Sequence, residues 1–397
     1  MKLRLADSVD VSGKRVILRV ALDVHYHDED GRLAIDDDAR IKAIIPSIKD
    51  LQARGAKVIL MSWLQRPGGK VVPEMSLAPV SSRLTELLGQ PVHFFEDCIG
   101  DEVAAYIEKV PQKSVILLEN VRFHTGEAGE SGMDLEYAKA LAKNGDIFIN
   151  DAFAQIHRDV ASITGIPQFL PSYAGPLLNK EIRALSQITD NPPRPLIAII
   201  GGAKISTKLN LITSLMKKVD YLLLGGALAN TILKAQGVQV GKSLIEEKMM
   251  QAAQSLSLTD TRLKIPVDVV TASEIKESVP IEKKAVGSVA ADQIILDIGP
   301  DTVELYKMII KQAKTLVWNG PMGYFEIEQF ATGTYDIAKA IAGQTDLQSV
   351  VGGGETVDAI HTLGLEDKFS FVSTGGGAML EFLEKGTLAG LEPLIEK

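Results

Sequence analysis

Short aliphatic and β-branched runs alternate with longer stretches of helical period from one end of the chain to the other. In the first half the apolar runs predict strands at residues 15–20, 57–61, 92–95, 114–118 and 146–150. Helical periods fall between them at 39–54, 78–88, 101–109 and 134–143. In the second half strands are expected at 196–200, 219–224, 266–270, 293–296, 315–318, 349–351 and 369–373. Strand–helix alternation of this kind implies parallel sheets covered on both faces by helices, an α/β fold.

A chain of 397 residues is too long for one ordinary core. Pro167, Pro171 and Pro176 precede a periodic segment at 177–185, and Asn191-Pro192-Pro193 follows it. Proline clusters bracketing one short helix suggest a hinge helix at 173–190 between lobes 1–172 and 191–380, with a C-terminal segment at 381–397.

Five glycine-rich turns follow strands of the second half: Gly201-Gly202, Gly225-Gly226, Asn319–Gly323, Gly352–Gly354 and Gly375–Gly377. In a parallel sheet the C-terminal strand ends share one edge, so turns that each open a helix would converge there. Glycine lets backbone approach a phosphate, and helix N-termini offer unpaired N–H groups. Any one such loop is an ordinary tight turn; five in corresponding places predict a binding edge. The segment Gly201–Lys208 carries Lys204 and Lys208 four residues apart, expected on one helical turn beside the phosphates. Gly237–Ser243 has one residue too few between its glycines for a P-loop, which leaves Lys242 as a surface lysine.

Charge sharpens this. The formal net charge is −9, which argues against nucleic acid as a partner, and no apolar run is long enough to span a bilayer. One cysteine, Cys98, makes no internal disulfide and has no sequence sign of activation, and the start of the chain lacks a signal-peptide core. A cytoplasmic protein is the default expectation. Against this acidic background Arg66, Arg122 and Arg158 each lie just past a strand, and Arg40 begins a helix. Alone, each is an ordinary surface ion-pair partner. Four at one sheet edge suit a small, multiply anionic ligand, and two opposed phosphate-binding edges would imply closure that excludes water.

The sequence resembles the phosphoglycerate kinase family along essentially its whole length. The resemblance is carried by Ser12–Val16, Ala39-Arg40-Ile41, Glu119–Phe123, Asp151-Ala152-Phe153, Gly175–Leu178, Gly201–Lys208, Trp318–Gly323, Phe325-Glu326 and Ser373–Ala378. It implies two Rossmann-like lobes and reversible phosphoryl transfer between ATP and 3-phosphoglycerate, giving 1,3-bisphosphoglycerate. It also implies Mg²⁺ with ATP or ADP, a monomer, and a C-terminal segment packed on the N-terminal lobe. By position, Arg40 would stabilise the transferring group, while Arg66, Arg122 and Arg158 would hold the acceptor's phosphate. Lys208 would contact nucleotide phosphates, with Lys204 assisting, and Glu326 would bind the ribose. Gly353, Gly354 and Thr356 would line the phosphate loop, and Gly376-Gly377 would donate N–H groups at transfer. His157 is expected near the cleft.

The departures concentrate in the acceptor site. Arg19–His25 reads RVALDVH where the family has Arg-Val-Asp-x-Asn-Val-Pro, so Ala21 and Asp23 replace an aspartate and an asparagine. Trp63 and Gln65 stand where a histidine and a glycine are usual, and Ala154-Gln155-Ile156 replaces Gly-Thr-Ala. Glu355 lengthens a carboxylate expected at Mg²⁺ by one methylene. Ala21 removes a polar contact, and Trp63 is expected to fill acceptor space, unless it simply packs under a loop. Lost hydrogen bonds to a charged ligand would weaken acceptor binding. Two alternatives therefore stand beside the kinase: one acting on a different phosphorylated carboxylic acid, and a nucleotide-binding pseudoenzyme. The acidic run at 28–38 lacks the spacing of a calcium loop and predicts a hairpin turn at Asp30-Gly31. The six histidines show no metal-ligand spacing.

Overall fold

A computed structural model describes residues 1–29, 32–128, 132–256 and 260–396. The chain forms two compact units, residues 1–182 with 387–397, and residues 183–386. The predicted turn at Asp30-Gly31 lies outside the described residues.

Unit 1 is built on six parallel strands with helices between them. Its strands are β1 (Arg15–Arg19), β4 (Lys57–Met61), β5 (Val92–Phe95), β6 (Val115–Leu118), β7 (Ile147–Asn150) and β8 (Ser172–Ala174). Their order is β5-β6-β4-β1-β7-β8. A separate antiparallel ribbon pairs β2 (Tyr26–Glu29) with β3 (Arg32–Ile35). The helices are α1 (Ala39–Ala53), α2 (Ala78–Leu88), α3 (Asp101–Lys109) and α4 (Leu135–Ala142). Strands β1, β4, β6 and β7 are buried almost throughout, which is why they read as continuous apolar runs rather than alternations. Helix α4 starts at Leu135 because the Asp134 side chain accepts the N–H groups of Glu136 and Tyr137.

Helix α5 (Pro176–Thr189) begins in unit 1 and ends in unit 2. Its first turn is held by Asp151, which accepts from the Leu178 N–H at 2.9 Å and from the Ser47 hydroxyl at 2.7 Å. Burial pushes the Asp151 carboxyl up to about 6, against the pull of these hydrogen bonds.

Unit 2 has a second parallel sheet of order β11-β10-β9-β15-β16-β17. These are β9 (Leu196–Ile200), β10 (Tyr221–Leu224), β11 (Leu263–Lys264), β15 (Thr315–Asn319), β16 (Gln348–Gly352) and β17 (Phe371–Val372). Helices α6 (Leu209–Met216), α7 (Gly226–Ala235), α8 (Met250–Gln254), α9 (Pro300–Ile310), α10 (Thr332–Ala342), α11 (Gly354–Thr362) and α12 (Gly376–Lys385) complete it. The runs at 266–270 and 293–296 do not join this sheet, contrary to the sequence expectation. They form β12 (Asp268–Ala272) and β14 (Ile294–Ile298), antiparallel neighbours in a small sheet with β13 (Glu282–Ala285). The error has a simple origin: a buried apolar run carries no sign of its partner's direction.

Candidate functional site

The glycine loops of unit 2 interlock through backbone hydrogen bonds. Gly202 N–H donates to the Pro321 carbonyl at 2.8 Å, Gly226 N–H to Met322 at 2.9 Å, and Leu228 N–H to Gly202 at 3.0 Å. The Thr356 hydroxyl oxygen accepts the Gly320 N–H at 2.7 Å. Helices α7, α11 and α12 begin directly at Gly225-Gly226, Gly353-Gly354 and Gly375-Gly376, with no side-chain cap on their first N–H groups. Helix N-termini attract anions, though in α7 the Gly226 and Leu228 N–H groups are already taken by the Met322 and Gly202 carbonyls. Gly353 has φ +101°, and a Cβ on Gly376 would lie 2.8 Å from the Gly353 Cα. Two bare backbones meet there, and no side chain fits between them.

Lys208 is the cation at this edge. It precedes α6 and donates from Nζ to the Gly201 carbonyl at 2.6 Å. Burial pushes its ammonium down to about 8, with Glu355 opposing that shift. A Cβ on Gly202 (φ +92°) would lie 3.1 Å from Lys208 Nζ and 3.9 Å from Glu355 Oε2, so the loop, the ammonium and the carboxylate are immediate neighbours. The expected pairing of Lys204 with Lys208 on one helical turn is not formed. Residues 202–208 are irregular, with a turn only at 206–208; α6 starts at Leu209, and Lys204 is exposed. The Gly201-Gly202 and Gly320–Gly323 loops likewise do not open helices directly; they pack against loops that do.

Beside this edge lies a cavity of about 530 Å³ whose lining includes Ala203, Ile275, Leu296, Met322, Glu326 and Glu355. Glu326 is exposed at its rim. Lys242 is exposed and also borders the cavity, so its surface position came with a role in the wall that the failed P-loop spacing concealed. Asp297 lies in the cavity lining yet is 2% exposed, and accepts the Gly333 and Ile298 N–H groups at 2.6 and 2.9 Å. Burial pushes its carboxyl up to about 8 in spite of those two bonds, and Asp336 adds to the rise. A raised folded-state value means that this group's stabilisation is complete below about pH 4 and is lost as pH rises through about 8. Asp297→Asn is therefore expected to flatten the dependence of thermal stability on pH between those limits. Parallel unfolding scans of both proteins across that window check it; an unchanged slope would refute it.

In unit 1 the adjacent strands β6, β4, β1 and β7 carry the other expected residues just past their C-terminal ends. Arg122 follows β6, the 62–66 loop follows β4, Ala21 and Asp23 follow β1, and Arg158 follows β7. Arg40 begins α1 and donates to the Asp23 carbonyl at 2.6 Å. Arg66, Arg158 and Arg40 are exposed, whereas Arg122 is half-buried. Burial lowers the Arg122 guanidinium's affinity for its proton; Glu127 and Asp23 oppose this, and Arg66 and Arg158 reinforce it. Arg66 and Arg158 thus lie close enough to Arg122 for their charges to be felt there.

The family model for phosphoglycerate kinase matches residues 6–386. The chain belongs to the phosphoglycerate kinase family. A phosphoglycerate kinase of Dictyoglomus turgidum is 46% identical over 392 residues, 98% of this chain and 97% of that protein. One of Rhizobium meliloti is 44% identical over 400 residues, covering 99% and 98%. The solved structure of phosphoglycerate kinase from Coxiella burnetii matches with a TM-score of 0.85 at 40% identity, over 99% of this chain and 98% of that one. That from Pyrococcus horikoshii matches with 0.84 at 32%, over the same shares. This is a phosphotransferase family with a carboxyl acceptor, and full-length similarity favours it over the two alternatives.

The Trp63 indole is 3% exposed. Two guanidiniums lie over it, with Arg19 Cζ 4.5 Å and Arg122 Cζ 3.8 Å from its ring centroid. Sequence reasoning also missed Arg19, which is fully buried and donates from Nε to the Ser162 hydroxyl at 2.9 Å. Ser162 in turn donates to buried Glu127 at 2.5 Å. An arginine inside an apolar strand was the available signal, since such a charge needs partners. Elsewhere Asp97, Cys98 and His124 bring ligand atoms within 4.8 Å of one another, a grouping that sequence spacing did not suggest. Cys98 is buried there and its thiol is pushed up by that burial, consistent with an unreactive group.

Proposed function

We propose that this chain catalyses reversible phosphoryl transfer from ATP to the carboxylate of 3-phosphoglycerate. An acceptor carboxylate oxygen forms a bond to the γ-phosphorus while the bond from that phosphorus to the β–γ bridging oxygen breaks, giving 1,3-bisphosphoglycerate and ADP. The acceptor is already a carboxylate, so no proton need be removed, and positioning with charge stabilisation carries the catalysis. The observation that carries this reading is the half-buried ammonium of Lys208, set against the Gly201-Gly202 and Gly320 loops and beside Glu355 in the first turn of α11, in a chain of this family.

Lys208 meets the nucleotide phosphates, and Gly353, Gly354 and Thr356 shape the loop that receives them. Gly376 supplies a backbone N–H to the transferring group. Glu326 at the cavity rim takes the ribose hydroxyls. Lys204, exposed on the turn before α6, adds long-range positive charge. In unit 1 Arg66, Arg122 and Arg158 hold the acceptor's phosphate, Arg40 neutralises charge at its carboxyl end, and Ala21 leaves one polar contact unmade. Mg²⁺ is held in kinases by one or two carboxylates together with substrate phosphates, and Glu355 beside Lys208 is a donor of that kind. The ion supplies charge neutralisation across the phosphates. The protein acts in the cytoplasm as a monomer, with small anions rather than nucleic acid or membrane as partners.

A coupled assay with Mg-ATP and 3-phosphoglycerate, run beside calorimetry with each ligand, tests the proposal. Turnover with both ligands is expected. Nucleotide heat without turnover would make the chain a binding protein instead.

A further inference from the structure

The Arg122 guanidinium is held by groups unlike those of an ordinary surface arginine. Trp63 covers one face of it at 3.8 Å. Arg122 Nη1 donates to the Gln65 carbonyl at 2.6 Å, and among the described residues no carboxylate lies within ion-pair distance of the guanidinium. Gln65 itself is in the left-handed region at φ 55°, where a residue with a Cβ is strained. Its N–H donates to the Asp23 carboxylate at 2.9 Å, which pins the strained residue so that its carbonyl faces Arg122. Arg19 Cζ also lies over the indole, at 4.5 Å from its centroid, and Arg19 is itself fixed by the Ser162 hydroxyl. A change in the ring's orientation toward Arg122 would therefore disturb a second guanidinium contact as well.

We infer that Trp63 is a positioning residue for acceptor binding: with Asp23 and Gln65 it fixes the plane of Arg122 so that the remaining N–H groups meet an oxyanion such as the phosphate of 3-phosphoglycerate. The inference rests on Arg122 being an acceptor ligand. It also gives the three departures from the family pattern at positions 23, 63 and 65 one joint task.

Trp63→Leu removes the π-face and keeps an apolar filler, while Trp63→Phe keeps a smaller face. Trp63→Leu is expected to raise KM for 3-phosphoglycerate about tenfold, with KM for ATP and kcat close to the parent's and Trp63→Phe restoring most of the loss. A structural defect would instead lower thermal stability and disturb both substrates together. The second readout needs no substrate: the Arg122 Nε–Hε resonance, identified by its absence from Arg122→Lys. Ring current should shift it upfield in the parent and in Trp63→Phe, and the shift should vanish in Trp63→Leu. If Trp63→Leu does not fold, Trp63→Met against Trp63→Tyr makes the same comparison. An unmoved resonance overturns the inference, and so does a moved resonance with unchanged acceptor KM. If the parent fails to turn over 3-phosphoglycerate, the functional proposal falls, while the resonance still decides whether Trp63 orients Arg122.

Discussion

Lys208→Ala is expected to lower kcat for phosphoryl transfer by about 10²–10³-fold, the usual cost of removing one pre-placed charge donor from a transferring group. The effect should be large because the ammonium is half-buried and held at the Gly201 carbonyl, where water is a poor substitute for a fixed charge. The same burial predicts a pH signature. With its value pushed down to about 8, the free enzyme loses this positive charge as pH rises through that point. The rate constant kcat/KM for the nucleotide should therefore fall above about pH 8, and Lys208→Arg should lose that limb because a guanidinium stays charged. Bound phosphate favours the ammonium, so the limb should weaken in kcat. Steady-state kinetics from pH 6 to 10 separate these cases. A Lys208→Ala enzyme within about threefold of the parent would remove the lysine from the proposed chemistry.

The second large effect is on stability. Arg19→Met should destabilise unit 1 by about 3 kcal/mol, because it leaves buried Glu127 without its compensating cation. For a unit of this size that corresponds to a fall in Tm of about 6–12 °C. Arg19 and Glu127 are linked through Ser162 rather than directly, so the expected cost lies at the lower end of the range for buried pairs. Burial raises the Glu127 carboxyl, while Arg19 and the Ser162 hydrogen bonds hold it down. Without Arg19 it should rise further. A carboxyl raised in the folded state loses stabilisation as pH increases, so the penalty of Arg19→Met should be greater at pH 8 than at pH 5. Equal penalties in denaturant titrations at the two pH values would show that the two charges are not coupled.

Most of the frame was legible in the chain. Buried parallel strands such as β4 and β9 announce themselves as unbroken apolar runs, and Asp134 and the proline clusters mark where elements begin or end. Local sequence also placed the glycine turns, since bare backbone is required wherever two loops or a phosphate come close. Residues just past strand ends could be assigned to one edge because parallel strands share their direction.

What the sequence could not supply was partnership across long distances. The direction of β12 and β14 depends on neighbours, and nothing within either run specifies it. Lys204 and Lys208 look equivalent four residues apart, but packing of the turn against Gly201 and Gly320 half-buries Lys208 and leaves Lys204 exposed. Trp63 is the sharpest case. Read alone, an indole among acceptor residues is an obstruction. In the fold it meets both the Arg19 guanidinium from β1 and that of Arg122 beyond β6, because the sheet order places β6, β4 and β1 side by side. Local pattern determined which elements form and which edge they share; tertiary packing decided which charges are buried, what they face and how they are held.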